Sequence, residues 1–219
     1  MLRFSTLLLL WGAFLMVPQE AKAQPAQPRS AHPAAIVPQA QQAQAPAFKC
    51  PKAGTIIEIT TSAQIGVRIS LGVDASDPTL CRSKVGSAIS ELYYGLYSRA
   101  VSADGLAELR QGLADLFAGR REQFAARFQS PTTGGGRLTF EDTWRRLGSE
   151  TIVIADRQVA AVAFERAQRN LDGIFQGVEK YLYDPATGVW VKRMAVSGGH
   201  TSQNWAVNWE VTKIVEPGS

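Results

Sequence analysis

From Arg137 to Pro217 the chain is a succession of strand-sized runs separated by short turn signals. That feature constrains the fold more than any other. Parallel neighbours need crossovers of a dozen or more residues, so connections this short make the strands antiparallel. The clearest unit is Tyr181 to Lys192, YLYDPATGVWVK, which reads as strand, tight turn, strand. Asp184 and Pro185 start the turn, and Gly188 supplies the left-handed residue. Thr139–Leu147 and Glu150–Ala155 read as two strands or one bent strand. Runs 159–168, 175–183, 189–196 and 205–215 follow, joined by Asn170-Leu171-Asp172-Gly173, the 184–188 turn and Ser197-Gly198-Gly199.

The preceding third adds more strands and one helix. Residues 54–61, GTIIEITT, are rich in β-branched residues, and 64–73, QIGVRISLGV, alternate Ile65, Val67, Ile69 and Leu71 against Gly66, Arg68, Ser70 and Gly72. Such alternation marks a half-buried strand. Asp74 to Pro78 is a turn cluster. Ile89–Val101 reads as a strand carrying Leu92, Tyr94 and Leu96 at one parity. Leu106, Leu109, Leu113, Leu116 and Phe117 recur at helical spacing after Ser102, predicting one amphipathic helix over 103–118 that Gly119 ends. Residues 121–128 suit a helical continuation or a strand, and the alternation of Phe124, Ala126 and Phe128 decides for a strand. One helix cannot cover two faces of so much sheet. The expected class is mainly β (α+β): a curved antiparallel meander or half-barrel of about eight strands with the helix packed against it.

Arg3 precedes the apolar run Leu7–Val17, and Ala21-Lys22-Ala23 is a small-x-small cleavage pattern. This predicts a secretory signal peptide over 1–23 cut after Ala23, hence a periplasmic or secreted protein. The apolar run is too short to span roughly 30 Å of hydrocarbon, so no transmembrane anchor is expected after processing. Residues 24–48 are dominated by Pro, Gln and Ala without apolar periodicity and read as a disordered tail, leaving 49–217 as a single β-rich domain. Two cysteines, Cys50 and Cys81, in an oxidising compartment predict one disulfide.

Function is less explicit. The net charge is +4, and loss of Arg3, Lys22 and Glu20 with the signal peptide lowers it to +3. Basic pairs are scattered, so no nucleic-acid partner is expected. There are two histidines: His32 in the tail, and His200 in a GGHTSQN loop with neither a second histidine nor a cysteine beside it. That is a poor zinc site, which needs three or four ligands. No GxSxG elbow occurs, Glu141 and Asp142 point to opposite faces of a strand, and PTTGGG lacks the Gly-Lys-Ser/Thr that completes a phosphate loop. No cofactor, metal site or catalytic residue is assigned, and the expectation is a non-enzymatic module. An enzyme using His200 with a nearby carboxylate is the remote alternative. A structural or interaction protein docking an envelope protein or wall partner, through its tail or a sheet edge, is the nearer one. Trp205 and Trp209 share a face of the last strand, and Trp190 lies on the strand before it. Together with Tyr94 they are either core residues or the lining of a concave apolar surface for an apolar or amphipathic envelope component.

Trp144, Gly148 and Glu150 ahead of Ile152 and Ile154, followed by a strand and YLYDPATGVWVKR, resemble the closing half of a group of uncharacterised bacterial envelope proteins. The resemblance covers residues 140–215. This chain has Ala155-Asp156-Arg157-Gln158-Val159 where that group has a Pro-Ala-Gly-Thr-Phe turn. The resemblance implies a half-barrel sheet like those of periplasmic lipoprotein carriers, and no catalytic residues.

Overall fold

The computed structural model describes residues 47–132, 134–173, 175–198 and 208–218. The readings made for the signal peptide, for the tail up to residue 46, and for His32, His200 and Trp205 lie outside the described residues. All described residues belong to one compact unit.

The sheet comprises β1 (Thr55–Thr61), β2 (Val67–Val73), β3 (Leu80–Val85), β4 (Ala88–Tyr93) and β5 (Tyr97–Ser98). After α1 (Ala103–Phe117) come β6 (Gln123–Pro131), β7 (Arg137–Ile154), β8 (Arg157–Asn170), β9 (Gln176–Asp184), β10 (Val189–Gly198) and β11 (Trp209–Val215). All eleven strands form one antiparallel sheet in the order β5-β4-β3-β2-β1-β11-β10-β9-β8-β7-β6. Two meanders thus run outward from a central β1–β11 pair. The class is mainly β with one helix, and the sheet curls into a nearly closed barrel. Its two ends meet where the chain leaves β5. The Ser102 N–H donates to the Gln129 carbonyl of β6 at 3.0 Å, and the Ser102 hydroxyl accepts the Gln129 N–H at 3.2 Å.

Among the described residues the strand count is eleven, against an expected number of about eight, for two physical reasons. β3 is the run LCRSKV, whose charged and small residues carry no apolar alternation. The strand expected over 89–101 is broken at Tyr94 and Gly95, which both take positive φ, 55° and 70°. That corner turns the chain inward, so Tyr94 joins the core instead of continuing a strand face. The 137–154 region is a single bent strand, with a bulge between Arg146 and Gly148 in its pairing with β8.

Alternation along each strand separates two cores. Tyr181 and Tyr183 of β9 join an aromatic core with Phe117, Phe124, Phe128, Trp144, Phe164 and Trp190, whereas Leu182 between them joins an aliphatic one with Ile57, Ile154, Val189, Val191 and Val211. The helix closes the aromatic core. Leu109, Leu113 and Leu116 are fully buried. The helix also carries two glycines on its buried face, and these set its distance from β6. A Cβ at Gly105 would stand 2.3 Å from the Arg127 carbonyl oxygen, and one at Gly112 would stand 2.3 Å from the Phe124 ring. Helix propensity alone predicts that Gly105→Ala gains about 1 kcal/mol. The clash is with backbone, which cannot rotate away, so the expected result is a net loss of about 1–3 kcal/mol in urea unfolding. A stability gain would show that the helix does not seat this closely.

The chain enters the fold against the 184–188 hairpin. The Lys49 N–H donates to the Tyr183 hydroxyl at 3.0 Å, and that hydroxyl donates to the Lys49 carbonyl at 2.9 Å. Gly188 has φ +78°, and a Cβ there would meet the Lys49 carbonyl oxygen at 2.8 Å. Asp184 is buried, with its carboxylate accepting the Ala186 N–H and the Thr187 hydroxyl. The hairpin therefore has the turn chemistry read in the sequence and a second task, as the seat for residues 49 and 50. The Cys50–Cys81 disulfide is formed and joins this entry segment to β3.

Candidate functional site

The helix packs on β6, and its Arg110 reaches Tyr93 and the Tyr94 corner at the end of β4. Against one face of β1–β4, however, lies a cleft that no residue of the helix lines. Register places Ile57 opposite Ile69, Leu71 opposite Ser83, and Cys81 opposite Leu92. These side chains, with Ile59, line one wall of an apolar cleft of about 260 Å³. Phe48, Pro51, Leu96, Trp190 and Trp209 supply much of the rest. The alternation of Ile69 and Leu71 against Arg68 and Ser70 now has its meaning: the apolar parity faces the cleft and the polar parity faces solvent.

Trp190 and Trp209 meet at this cleft in different ways. Trp190 is 8% exposed. Its ring lies against Tyr183 at 5.2 Å, Tyr181 at 5.6 Å and Phe164 at 5.7 Å, and its indole N–H donates to the Tyr94 carbonyl at 2.7 Å. It is a core residue that shows one edge to the cleft. Trp209 is half-buried and touches both cores. Tyr94 does not line the cleft. Its left-handed backbone sends the ring into the aromatic core, where its hydroxyl donates to the Arg110 carbonyl at 3.1 Å. Burial pushes that hydroxyl's pKa up to about 12, so it stays protonated. Its backbone carbonyl, rather than its ring, serves the site by holding Trp190.

A second feature has no counterpart among the residues singled out in the sequence. Asp142, wholly buried, accepts hydrogen bonds from the Tyr97 hydroxyl at 2.5 Å, Arg166 Nε at 2.7 Å and Gln168 Nε2 at 2.8 Å. The Tyr97 hydroxyl in turn accepts the Trp144 indole N–H at 2.6 Å. Arg166 continues to Glu179 at 3.6 Å, which also accepts from the Tyr181 hydroxyl at 2.6 Å and from Arg193. The network balances two carboxylates with two guanidiniums, and all four carboxylate oxygens are engaged. Burial drives the Tyr97 hydroxyl well above its ordinary pKa, with Arg166 opposing. Asp142 and the neighbouring carboxylates hold the Arg166 guanidinium in its charged form against the cost of its burial. A saturated network of this kind holds strands in register and leaves no carboxylate free to act as a base. It could have been suspected from parity alone: Asp142 shares the inward parity of Phe140 and Trp144, and Arg166 that of Phe164. Glu141 points the other way and pairs with Arg127 and Arg169 at the surface.

No family model matches this chain, and no curated protein does. Among solved structures the chain is similar to the crystal structure of a protein described as the hypothetical lipoprotein YmcC of Escherichia coli K12. The two share 16% sequence identity at a TM-score of 0.48, over 81% of this chain and 91% of that one.

Proposed function

We propose that this protein is exported to the cell envelope and acts there as a non-enzymatic module that holds an apolar or amphipathic envelope component in the cleft beside Trp190 and Trp209. One observation carries the reading: the face of β1–β4 presents Ile57, Ile59, Ile69, Leu71 and Leu92 to a cleft instead of to a covering helix. A sheet face of this composition gains by being removed from water, at about 25 cal/mol per Å² of apolar surface. The volume, about 260 Å³, sits just under the range of about 300–1,000 Å³ usual for small-molecule sites. The export pattern at the N-terminus and the disulfide support an oxidising compartment.

The reading is tested by tryptophan emission. Addition of dodecyl maltoside below its micelle concentration is expected to shift the emission to the blue, and Trp209→Phe is expected to lose most of the shift. Trp190, already 8% exposed, has little left to report. Native mass spectrometry of protein purified from the envelope fraction is expected to show bound mass. An unshifted spectrum together with a ligand-free mass would sink the proposal.

A further inference from the structure

The cleft is apolar, and its polar groups are also almost all spoken for. The Trp190 indole N–H is donated to the Tyr94 carbonyl. At the rim, Arg82 is held by Asp74 at 2.7 Å and by Glu91 at 2.9 Å, while Glu91 also pairs with Arg99 at 2.8 Å. Two cations thus face two carboxylates, and among the described residues lining the cleft no uncompensated charge is offered to a ligand. Among the side chains lining the cleft, only the Ser83 hydroxyl and the Trp209 indole N–H lack a hydrogen-bond partner among the described residues, and both are neutral. A sugar, nucleotide or peptide would leave most of its polar groups desolvated and unpaired in such a wall, which binding does not tolerate. An anionic headgroup would find the Arg82 guanidinium already occupied.

We infer that the cleft takes a single hydrocarbon chain and leaves the headgroup outside, so that recognition is by chain length and is indifferent to headgroup charge. The inference rests on the cleft being the ligand site. The small volume sets the stoichiometry at one chain, since a two-chain lipid would leave its second chain in water.

Isothermal titration of the purified protein tests this with alkyl maltosides from octyl to tetradecyl, each below its micelle concentration. The dodecyl chain is then compared on phosphocholine and trimethylammonium heads at physiological salt. Affinity should rise about fourfold per added methylene until the cleft is filled and then level off. The three dodecyl probes should agree within about fivefold, the spread that solvent-screened charge contacts produce. Ser83→Phe, which adds bulk to the cleft wall from a half-buried position, should weaken dodecyl maltoside by about tenfold or more with unchanged circular dichroism. Ile69→Ser, on the neighbouring strand of the same wall, should weaken it in the same direction and serves as the test should Ser83→Phe disturb folding. A flat chain-length series or a headgroup preference beyond about tenfold overturns the inference while leaving the cleft as a ligand site. Undiminished affinity in both variants places the ligand outside the cleft and overturns the inference and the proposed function together. Absence of binding by every probe overturns the inference and the proposed function together.

Discussion

Asp142→Ala is expected to cost about 3–5 kcal/mol of stability, the usual consequence of removing one partner from a buried ion pair. Asp142 is wholly buried and accepts hydrogen bonds from three side chains on β5 and β8. Its removal leaves Arg166 with one remaining counter-charge, Glu179, at 3.6 Å. It also leaves the Tyr97 hydroxyl and the Gln168 amide without their acceptor. Tyr97 belongs to β5, at one end of the sheet, and Asp142 to β7, near the other, so the same substitution removes a tie across the barrel seam. Asp142→Asn keeps the size and two acceptor lone pairs but loses the charge, so it should fall between wild type and alanine. Urea unfolding with an unchanged m-value is the measurement. A loss under about 1 kcal/mol, the scale of a solvent-exposed pair, would mean that water reaches Arg166 and that the network is not the buried one described.

That network shows where the legibility of the sequence ends. Turn chemistry is local, so Asp184-Pro185 and Gly188 announced their hairpin, and helical spacing from Leu106 to Phe117 announced the helix. Two cysteines allow one pairing, and Cys50–Cys81 is formed. The partnership of Asp142, Arg166 and Glu179 is not local. Register aligns Trp144 with Arg166 and Arg166 with Glu179, and the bulge between Arg146 and Gly148 displaces that register further along the same hairpin. No short window contains this. The pairing of β1 with β11 is of the same kind, since Ile56 meets Val215 across almost the whole domain. It is this pairing that brings Trp209 beside Ile59 and so makes the cleft. The sequence marked Trp190 and Trp209 as a choice between core and cavity. Residues far away in the chain decided it, placing Trp190 mostly in the core and Trp209 between core and cleft. Tyr94 shared an apolar parity with Leu92 and Leu96 in a strand that does not continue, because its own backbone and that of Gly95 turn left-handed.

Loss of the disulfide, through a paired Cys50→Ala and Cys81→Ala substitution, is the other change with a large expected effect. The bond closes a loop with a sequence separation of 31. In the chain-entropy model this restricts the unfolded chain enough to contribute about 3.5–4 kcal/mol. For a domain of this size that is a fall in Tm of about 7–16 °C. Dithiothreitol should lower the Tm of the wild type by a similar amount and leave the double variant where it is. The structural consequence is local as well. Cys81, Pro51 and Phe48 all line the cleft, and the disulfide is the covalent link between the entry segment and the β3 wall. The entry segment keeps a second anchor, the paired hydrogen bonds between Lys49 and the Tyr183 hydroxyl. Reduction should therefore loosen the cleft without unfolding the aromatic core. Trp209 emission is then expected to shift to the red at temperatures where Trp190 emission is unchanged, a separation that Trp209→Phe and Trp190→Phe variants can resolve. Coincident shifts would mean that cleft and core melt as one unit. In that case the disulfide stabilises the whole barrel, and the cleft has no independent response to the redox state of its surroundings.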